Sequence, residues 1–286
     1  MKNQGVEMPV LVVGSGKVAQ GVVNCLSSAG HPIDYYNIDN GKDMLPDHIP
    51  EKLVVMVTSE DKIEKISWIV LLQQRMDSDA TIAVNMESIL LDELQEKAQQ
   101  PEQIIGLNWV YPADQTFFLE IISNAVCNER NIALLQHLGK NCWGKDPYTV
   151  CSGFSARARM FAAMVREAFY LVEKEYASIE SVDRACRNDA GYYLPFAGNF
   201  RYMDLMGTYA YGAVMKDLNP ELCNEKTPAI FFKELLKNGG LGIENNTGFY
   251  NYTESGVQEW NGLFNQFSED IRKIMLKYPF GKEQEI

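Results

Sequence analysis

Eight residues near the amino terminus carry the most chemically specific spacing in the chain: Gly14-Ser15-Gly16-Lys17-Val18-Ala19-Gln20-Gly21. Small residues at 14, 16, 19 and 21 fit the pattern G-x-G-x-x-A-x-G. Gly14 permits a tight turn, and Gly16 lets the backbone approach a pyrophosphate. Ala19 and Gly21 let a helix lie close against a sheet. A helix starting here aims unpaired N–H groups and a positive dipole end at phosphates. Ser15, Lys17 and Val18 complete the loop. The chemistry is dinucleotide binding; the bland alternative is a glycine-rich turn without a ligand. The same fingerprint expects an acid at the end of the second strand, for the ribose hydroxyls. The stretch Tyr36-Asn37-Ile38-Asp39 offers Asp39, with Asn37 competing for the position. An acid favours NAD by repelling a 2′-phosphate. Nearby Lys42 keeps NADP open.

The elements around the loop must place it between a strand and a helix. Residues 9–13 form a short apolar run rich in β-branched residues, suited to a strand buried on both faces. Val18, Ala19, Val22, Val23 and Leu26 follow at helical spacing and stop at Gly30. Strands are expected at 33–38, 53–58 and 81–85, with a helix over about 60–76. Short strands near 104–108 and 117–122 extend the same sheet. Strands alternating with helices predict a doubly wound parallel α/β sheet. Near residue 150 the period changes. Phe161, Met164, Val165, Ala168 and Val172 recur at three- and four-residue steps. Ser178 suits the N-cap of a helix through about 188. Further helices are expected at 199–217, 228–237 and 254–277. The reading is two domains: a dinucleotide-binding domain over 1–150 and an all-α domain over 151–286.

Composition narrows the class. The chain has 286 residues, 46% hydrophobic and 22% charged, which is ordinary for a globular protein. A net charge of −12 repels phosphate backbones and anionic lipid, so neither nucleic acid nor a membrane is an expected partner. No apolar stretch approaches the roughly 20 residues of a membrane span. The six cysteines include no C-x-x-C pair, so no metal is expected. They read as thiols in a reducing compartment, the cytoplasm.

Taken in order, several segments resemble the 3-hydroxyacyl-CoA dehydrogenase family. They are the loop Gly14–Gly21, Leu53-Val-Val, Gly106-Leu-Asn-Trp-Val-Tyr-Pro112, Leu138-Gly-Lys140, Gly153-Phe154, Gly191-Tyr192, Asp204-Leu-Met-Gly207 and Asn238 to Tyr252. The resemblance runs from about Leu11 to Tyr252. It implies a Rossmann domain, then a helical domain that usually dimerises, with substrate in the cleft between them. It implies hydride transfer between NAD and a hydroxy/keto substrate. Its catalytic positions fall here on Asn108, where the family has a histidine base, and on Glu120, the orienting carboxylate. They fall also on Glu87, in place of a serine after Asn85-Met86, and on Arg157, in place of an asparagine. Glu60 resembles a residue near the nicotinamide, or is a helix-start acid favoured by the dipole. Neutral Asn108 is no general base. Asn85 and Asn108 would polarise the reacting oxygen, Glu120 or Glu87 would handle the proton, and Arg157 would grip an acidic group. A plain structural Glu120–Arg157 ion pair is the competing reading. The family's helical excursion for the CoA arm is here only Asn40 to Lys52. The expected partner is therefore a small hydroxy or keto acid, or its thioester. The alternative is a catalytically silent dinucleotide-binding or regulatory protein. The aromatic run 192–211 reads as a subunit interface of a homodimer, or as a pocket lining.

Overall fold

In the computed structural model, which describes residues 8–41 and 45–279, the apolar run forms β1 (Val10–Gly14), buried along its whole length. Such a strand has no side to turn to water, so it lies inside a sheet. β1 pairs in parallel with β2 (Ile33–Asn37) and with β3 (Leu53–Val57). β4 (Thr81–Val84) and β5 (Ile104–Asn108) continue the parallel set. The crossovers include α1 (Gly16–Ser28) and α2 (Lys62–Arg75). Their apolar stripes, with Ala19, Val22 and Leu26 on α1 and Trp68, Ile69 and Leu72 on α2, join one core with the sheet.

The order is β2-β1-β3-β4-β5-β6-β7. The last two strands depart from the parallel expectation. β6 (Glu120–Ile122) runs antiparallel to β5, and β7 (Tyr148–Val150) runs parallel to β6. A parallel return needs a crossover, usually a helix. Residues 109–119 contain none, so the chain turns back antiparallel. β7 and α4 (Glu129–Asn141) had no sequence expectation. β7 is three residues long and only partly buried, so its apolar signal is faint. A short helix α3 (Leu91–Gln95) lies between β4 and β5.

Contacts divide the chain into two units, Met1–Arg159 and Met160–Ile286. Helix α5 (Ala156–Glu173) starts in the first and runs into the second. The second unit holds α6 (Ile179–Ala185), a π-helical turn (Cys186–Ala190), α7 (Gly191–Met206), α8 (Thr208–Leu218), α9 (Ile230–Lys237) and α10 (Glu254–Lys277). Ser178 caps α6 by accepting the Ser181 N–H. The single helix expected over 199–217 is two helices. Gly207 separates them at φ 103°, a backbone that cannot continue a right-handed helix. Lys42 lies outside the described residues.

Candidate active site

The sheet delivers its chemistry at one edge. Gly14, at the end of β1, lies in register with Asn37 on β2 and Val57 on β3. A Cβ on Gly14 would sit 2.2 Å from the Val57 carbonyl oxygen, so only glycine lets these strands pair. Gly16 has φ +81°, and the space a Cβ would take is open. Ser15 is extended and makes no side-chain cap bond. No acid stands in the first turn of α1. Neither Ser15 nor an acid of its own first turn therefore neutralises the positive start of this helix, and a phosphate fits there. A Cβ on Gly21 would come 3.0 Å from that of Ala113, so the helix packs tightly on the turn after β5. Lys17 reaches over the Tyr111 ring at 5.7 Å, beside the loop. Val18 is half-buried against the core. These residues fit a dinucleotide. The loop stands at the β1/β3 switch point of this strand order, where open α/β sheets take their ligands.

At the end of β2, Asn37 holds the register position beside Gly14, and its side chain accepts the Asp39 N–H at 2.9 Å. Asp39 sits in the following turn, exposed. The Tyr35 hydroxyl donates to the Gly14 carbonyl at 3.1 Å. Burial, then the charge of Asp39, pushes the Tyr35 phenol up.

Two asparagines close the same edge further along. The Asn85 amide accepts the Thr58 N–H at 2.9 Å and donates to the Thr58 carbonyl at 3.0 Å. The Asn108 amide does the same to Met86, both at 2.7 Å. Each side chain extends the sheet by one imitation strand pair. Asn108 gives a second hydrogen bond, to Glu120 Oε2 at 2.9 Å. Both of its N–H groups are therefore engaged, and it has no donor left to polarise a substrate oxygen.

Between the ends of β3 and β4 lies Lys65, a residue the sequence reading passed over. It is fully buried. Its ammonium donates to Thr58 Oγ1 at 3.1 Å, the Asn85 carbonyl at 2.7 Å and Asn85 Oδ1 at 3.0 Å. Glu60 stands 3.7 Å away and also accepts the Glu87 and Ser88 N–H groups. Glu60 thus joins the loop after β3 to the loop after β4. A signal for Lys65 was present, because 65, 68, 69 and 72 form one apolar stripe with a lysine in it. Burial lowers the Lys65 pKa from 10.5 to about 8, against the pull of Glu60. Below that value Lys65 is charged in both folded and unfolded chains, and folding carries the full burial cost. Between the two values only the unfolded chain keeps the proton, so stability rises with pH. The rise is on the order of 3 kcal/mol when complete. Urea titrations at pH 7.5 and 10 should show wild type gaining relative to Lys65→Met by roughly that order. Parallel pH curves would refute it.

The third cluster surrounds Glu120, which is fully buried. Its Oε2 accepts from Asn108 and from Ser155 Oγ at 2.6 Å. Its Oε1 accepts from the Tyr148 hydroxyl at 3.1 Å and the Arg157 main-chain N–H at 3.0 Å. The last bond puts the carboxylate at the start of α5, whose own first turn holds no acid. Glu120 therefore supplies from β6 the negative charge that the helix dipole favours. The Arg157 guanidinium does not pair with Glu120, contrary to one sequence expectation. It meets Glu87 Oε1 at 2.6 Å, with each side chain about a third exposed (35% and 34%). It also lies 5.8 Å over the Phe118 ring. Burial pushes the Glu87 carboxyl up, and Glu60 and Glu120 add to that; Arg157 only partly offsets it. Ser155 and Tyr148 escaped the sequence reading, since their roles depend on a partner far back in the chain.

A glycine loop between strand and helix on a largely parallel sheet, with polar groups along the carboxyl ends of the strands, defines a dinucleotide-binding fold. This chain belongs to the 3-hydroxyacyl-CoA dehydrogenase family. The family's NAD binding domain matches residues 42–152, and its C-terminal domain matches residues 153–252. The chain is 24% identical over 217 residues to a 5-formyl-3-hydroxy-2-methylpyridine 4-carboxylate 5-dehydrogenase of Mesorhizobium japonicum, covering 75% of this chain and 67% of that protein. It is 23% identical over 286 residues to a 3-hydroxybutyryl-CoA dehydrogenase of Clostridioides difficile, covering 86% and 100%. A solved NAD+-dependent 5-formyl-3-hydroxy-2-methylpyridine 4-carboxylic acid 5-dehydrogenase shares the fold, with a TM-score of 0.83 at 21% identity, covering 94% and 98%. The NAD cofactor, when bound, accepts or returns hydride.

Proposed function

We propose that this chain oxidises or reduces a small acidic hydroxy/keto substrate that is not linked to CoA. The observation carrying this is the Glu87–Arg157 pair, a partly exposed guanidinium at the carboxyl edge. The edge is where open α/β sheets take their ligands. Arg157 grips a substrate carboxylate in a fork. Glu87 or Glu120 handles the proton, and Asn85 and Asn108 hold the edge in shape. Gly14, Ser15, Gly16, Lys17, Val18 and Gly21 hold the NAD pyrophosphate, with Asp39 at the ribose and Glu60 fixing the loops nearby. Against CoA, the described residues between Asn40 and Leu53 form no helix. The carboxylated pyridine named for one relative supports the same class.

Replacing Arg157 by Met should raise KM for carboxylate substrates by roughly 10–100-fold, the loss of one or two charge-assisted hydrogen bonds. Methyl esters of the same substrates should be unaffected. Equal losses for acid and ester would remove Arg157 from substrate binding.

Unit 160–286 supports a homodimer. Ala197 is its only buried apolar side chain among the described residues, while Phe200 and Tyr209 are 85% and 92% exposed. Exposed apolar surface on this scale fits a second copy. All six cysteines are free thiols, which fits the cytoplasm. Among the described residues no helix is long and apolar enough to cross a membrane.

One observation favours a second reading, a silent cofactor-binding regulator: an amide with both N–H groups engaged stands where the family has its histidine. One purified sample separates the two. NADH and NADPH titrations, turnover over hydroxy acids and their thioesters, and light scattering for the oligomer are measured together. Cofactor binding with turnover supports the oxidoreductase; binding without turnover supports the regulator.

A further inference from the structure

Glu120 cannot touch a substrate. It is fully buried and enclosed by four donors. Any proton it exchanges passes through one of them. The Asn108 amide and the Arg157 main-chain N–H do not relay protons near neutral pH. Ser155 has a hydroxyl, but it is 1% exposed, and its oxygen also accepts the Ala158 N–H. Tyr148 is different. Its hydroxyl donates to Glu120, yet the residue is 39% exposed. A hydroxyl that donates once can still accept.

The fold places this hydroxyl deliberately. The β5–β6 and β6–β7 registers set Asn108, Glu120 and Tyr148 in one row across three strands. That row is at the carboxyl edge of the parallel set. Phe118 packs edge-on against the Tyr148 ring at 5.9 Å, and the same Phe118 carries the Arg157 cation. The proposed carboxylate grip and the hydroxyl thus share one supporting ring.

We infer that Tyr148 is the catalytic residue that exchanges a proton with the reacting oxygen, with Glu120 as the store behind it. This rests on the oxidoreductase reading above. In the oxidising direction the substrate hydroxyl proton moves to Tyr148 Oη, and Tyr148's own proton moves to Glu120 Oε1. The C–H bond breaks, its electron pair leaves as hydride for NAD+, and the carbonyl double bond forms. One alcohol and one NAD+ give one carbonyl, one NADH and one proton held on Glu120. Reduction reverses each transfer. Burial, then the Glu120 charge, pushes the phenol well above its ordinary range. A free phenolate is therefore costly, and the coupled shift avoids forming one. The pair Tyr148–Glu120 does the work of a base and its orienting carboxylate without a histidine.

The test compares full-length wild type with Tyr148→Phe and Glu87→Gln. Urea midpoint and NADH fluorescence titration report fold and cofactor binding. Acetoacetate binding to the NADH complex is read by fluorescence. Turnover is measured with acetoacetate, 4-formylbenzoate and 3-hydroxybutyryl-CoA in the matching direction. The expected result is a Tyr148→Phe variant with wild-type NADH affinity, about tenfold weaker acetoacetate binding and kcat lower by about 100-fold or more. A Tyr148→Phe variant with kcat near wild type overturns the inference and leaves the oxidoreductase reading intact. In that case, loss in Glu87→Gln assigns the proton to Glu87. Wild type that binds NADH but turns over none of the probes overturns the reading and the inference together. Should Tyr148→Phe not fold, replacement of tyrosine by 3-fluorotyrosine lowers the phenol pKa. The kcat of that variant then changes while its NADH affinity and urea midpoint do not, and an unmoved kcat counts against Tyr148.

Discussion

Glu120→Ala should lose about 4 kcal/mol of stability or more, seen as a urea midpoint lower by about 2 M for a slope near 2 kcal/mol/M. The reason is the density of donors on one buried carboxylate. Removing it strands the Asn108 amide and the Ser155 hydroxyl in the interior. Each stranded group costs roughly 1–3 kcal/mol. The start of α5 also loses the charge that faces its dipole and the bond to the Arg157 N–H. The isosteric Glu120→Gln should rescue it only in part. Either amide orientation turns an NH2 toward an N–H donor, Arg157 at one oxygen position or Asn108 at the other. Its loss should be on the order of 2 kcal/mol. A Gln variant as stable as wild type would show that the negative charge is not what joins α5 to the sheet.

Gly14→Ala should damage cofactor binding more than any other single methyl added to the loop. The new Cβ would meet the Val57 carbonyl oxygen at 2.2 Å and the Ala19 Cβ at 3.2 Å. Val57 belongs to the strand paired in register with Gly14, so neither backbone can yield without opening the sheet. Overpacking of this kind costs up to about 3 kcal/mol. The displaced turn also withdraws the N–H groups at the start of α1 from the phosphates. Losing two charge-assisted hydrogen bonds at roughly 1.5 kcal/mol each weakens NADH by about 100-fold. Calorimetric titration of NADH into the variant checks the affinity, and thermal unfolding checks the fold. An affinity within a few-fold of wild type would mean that the pyrophosphate sits elsewhere. Gly16→Ala makes a useful contrast. Its Cβ meets nothing within 4 Å, and the substitution is opposed only by φ +81°.

The parallel half of the sheet was legible in the residues because it is written locally. β1, β3, β4 and β5 are each buried at every position. Continuous apolar runs between helical stripes are the signature of such strands. The limits of reading locally show at the other end. Tyr148-Thr149-Val150 are strand-favouring types, but three half-exposed residues are too few to mark a strand until β6 is there to pair with them. The antiparallel turn of β6 follows from a connection too short for a crossover, which becomes clear only once both strands are placed. Gly207 could have warned that 199–217 was two helices, since its positive φ suits a helix end.

The site divides in the same way. The glycine loop, Glu87, Glu120 and Arg157 were all named from sequence, but the ion pair among them was not. Glu120 draws its donors from positions 108, 148, 155 and 157, and Arg157 turns instead to Glu87. The sequence by itself determined that a glycine-rich turn joins a buried strand to a helix on a largely parallel sheet, because close backbone approach and strand burial constrain residue types at fixed local spacing. Only the tertiary structure decided which carboxylate is enclosed and which faces outward. Hydrogen bonds between distant residues depend on register and direction, and those exist only once the sheet is assembled.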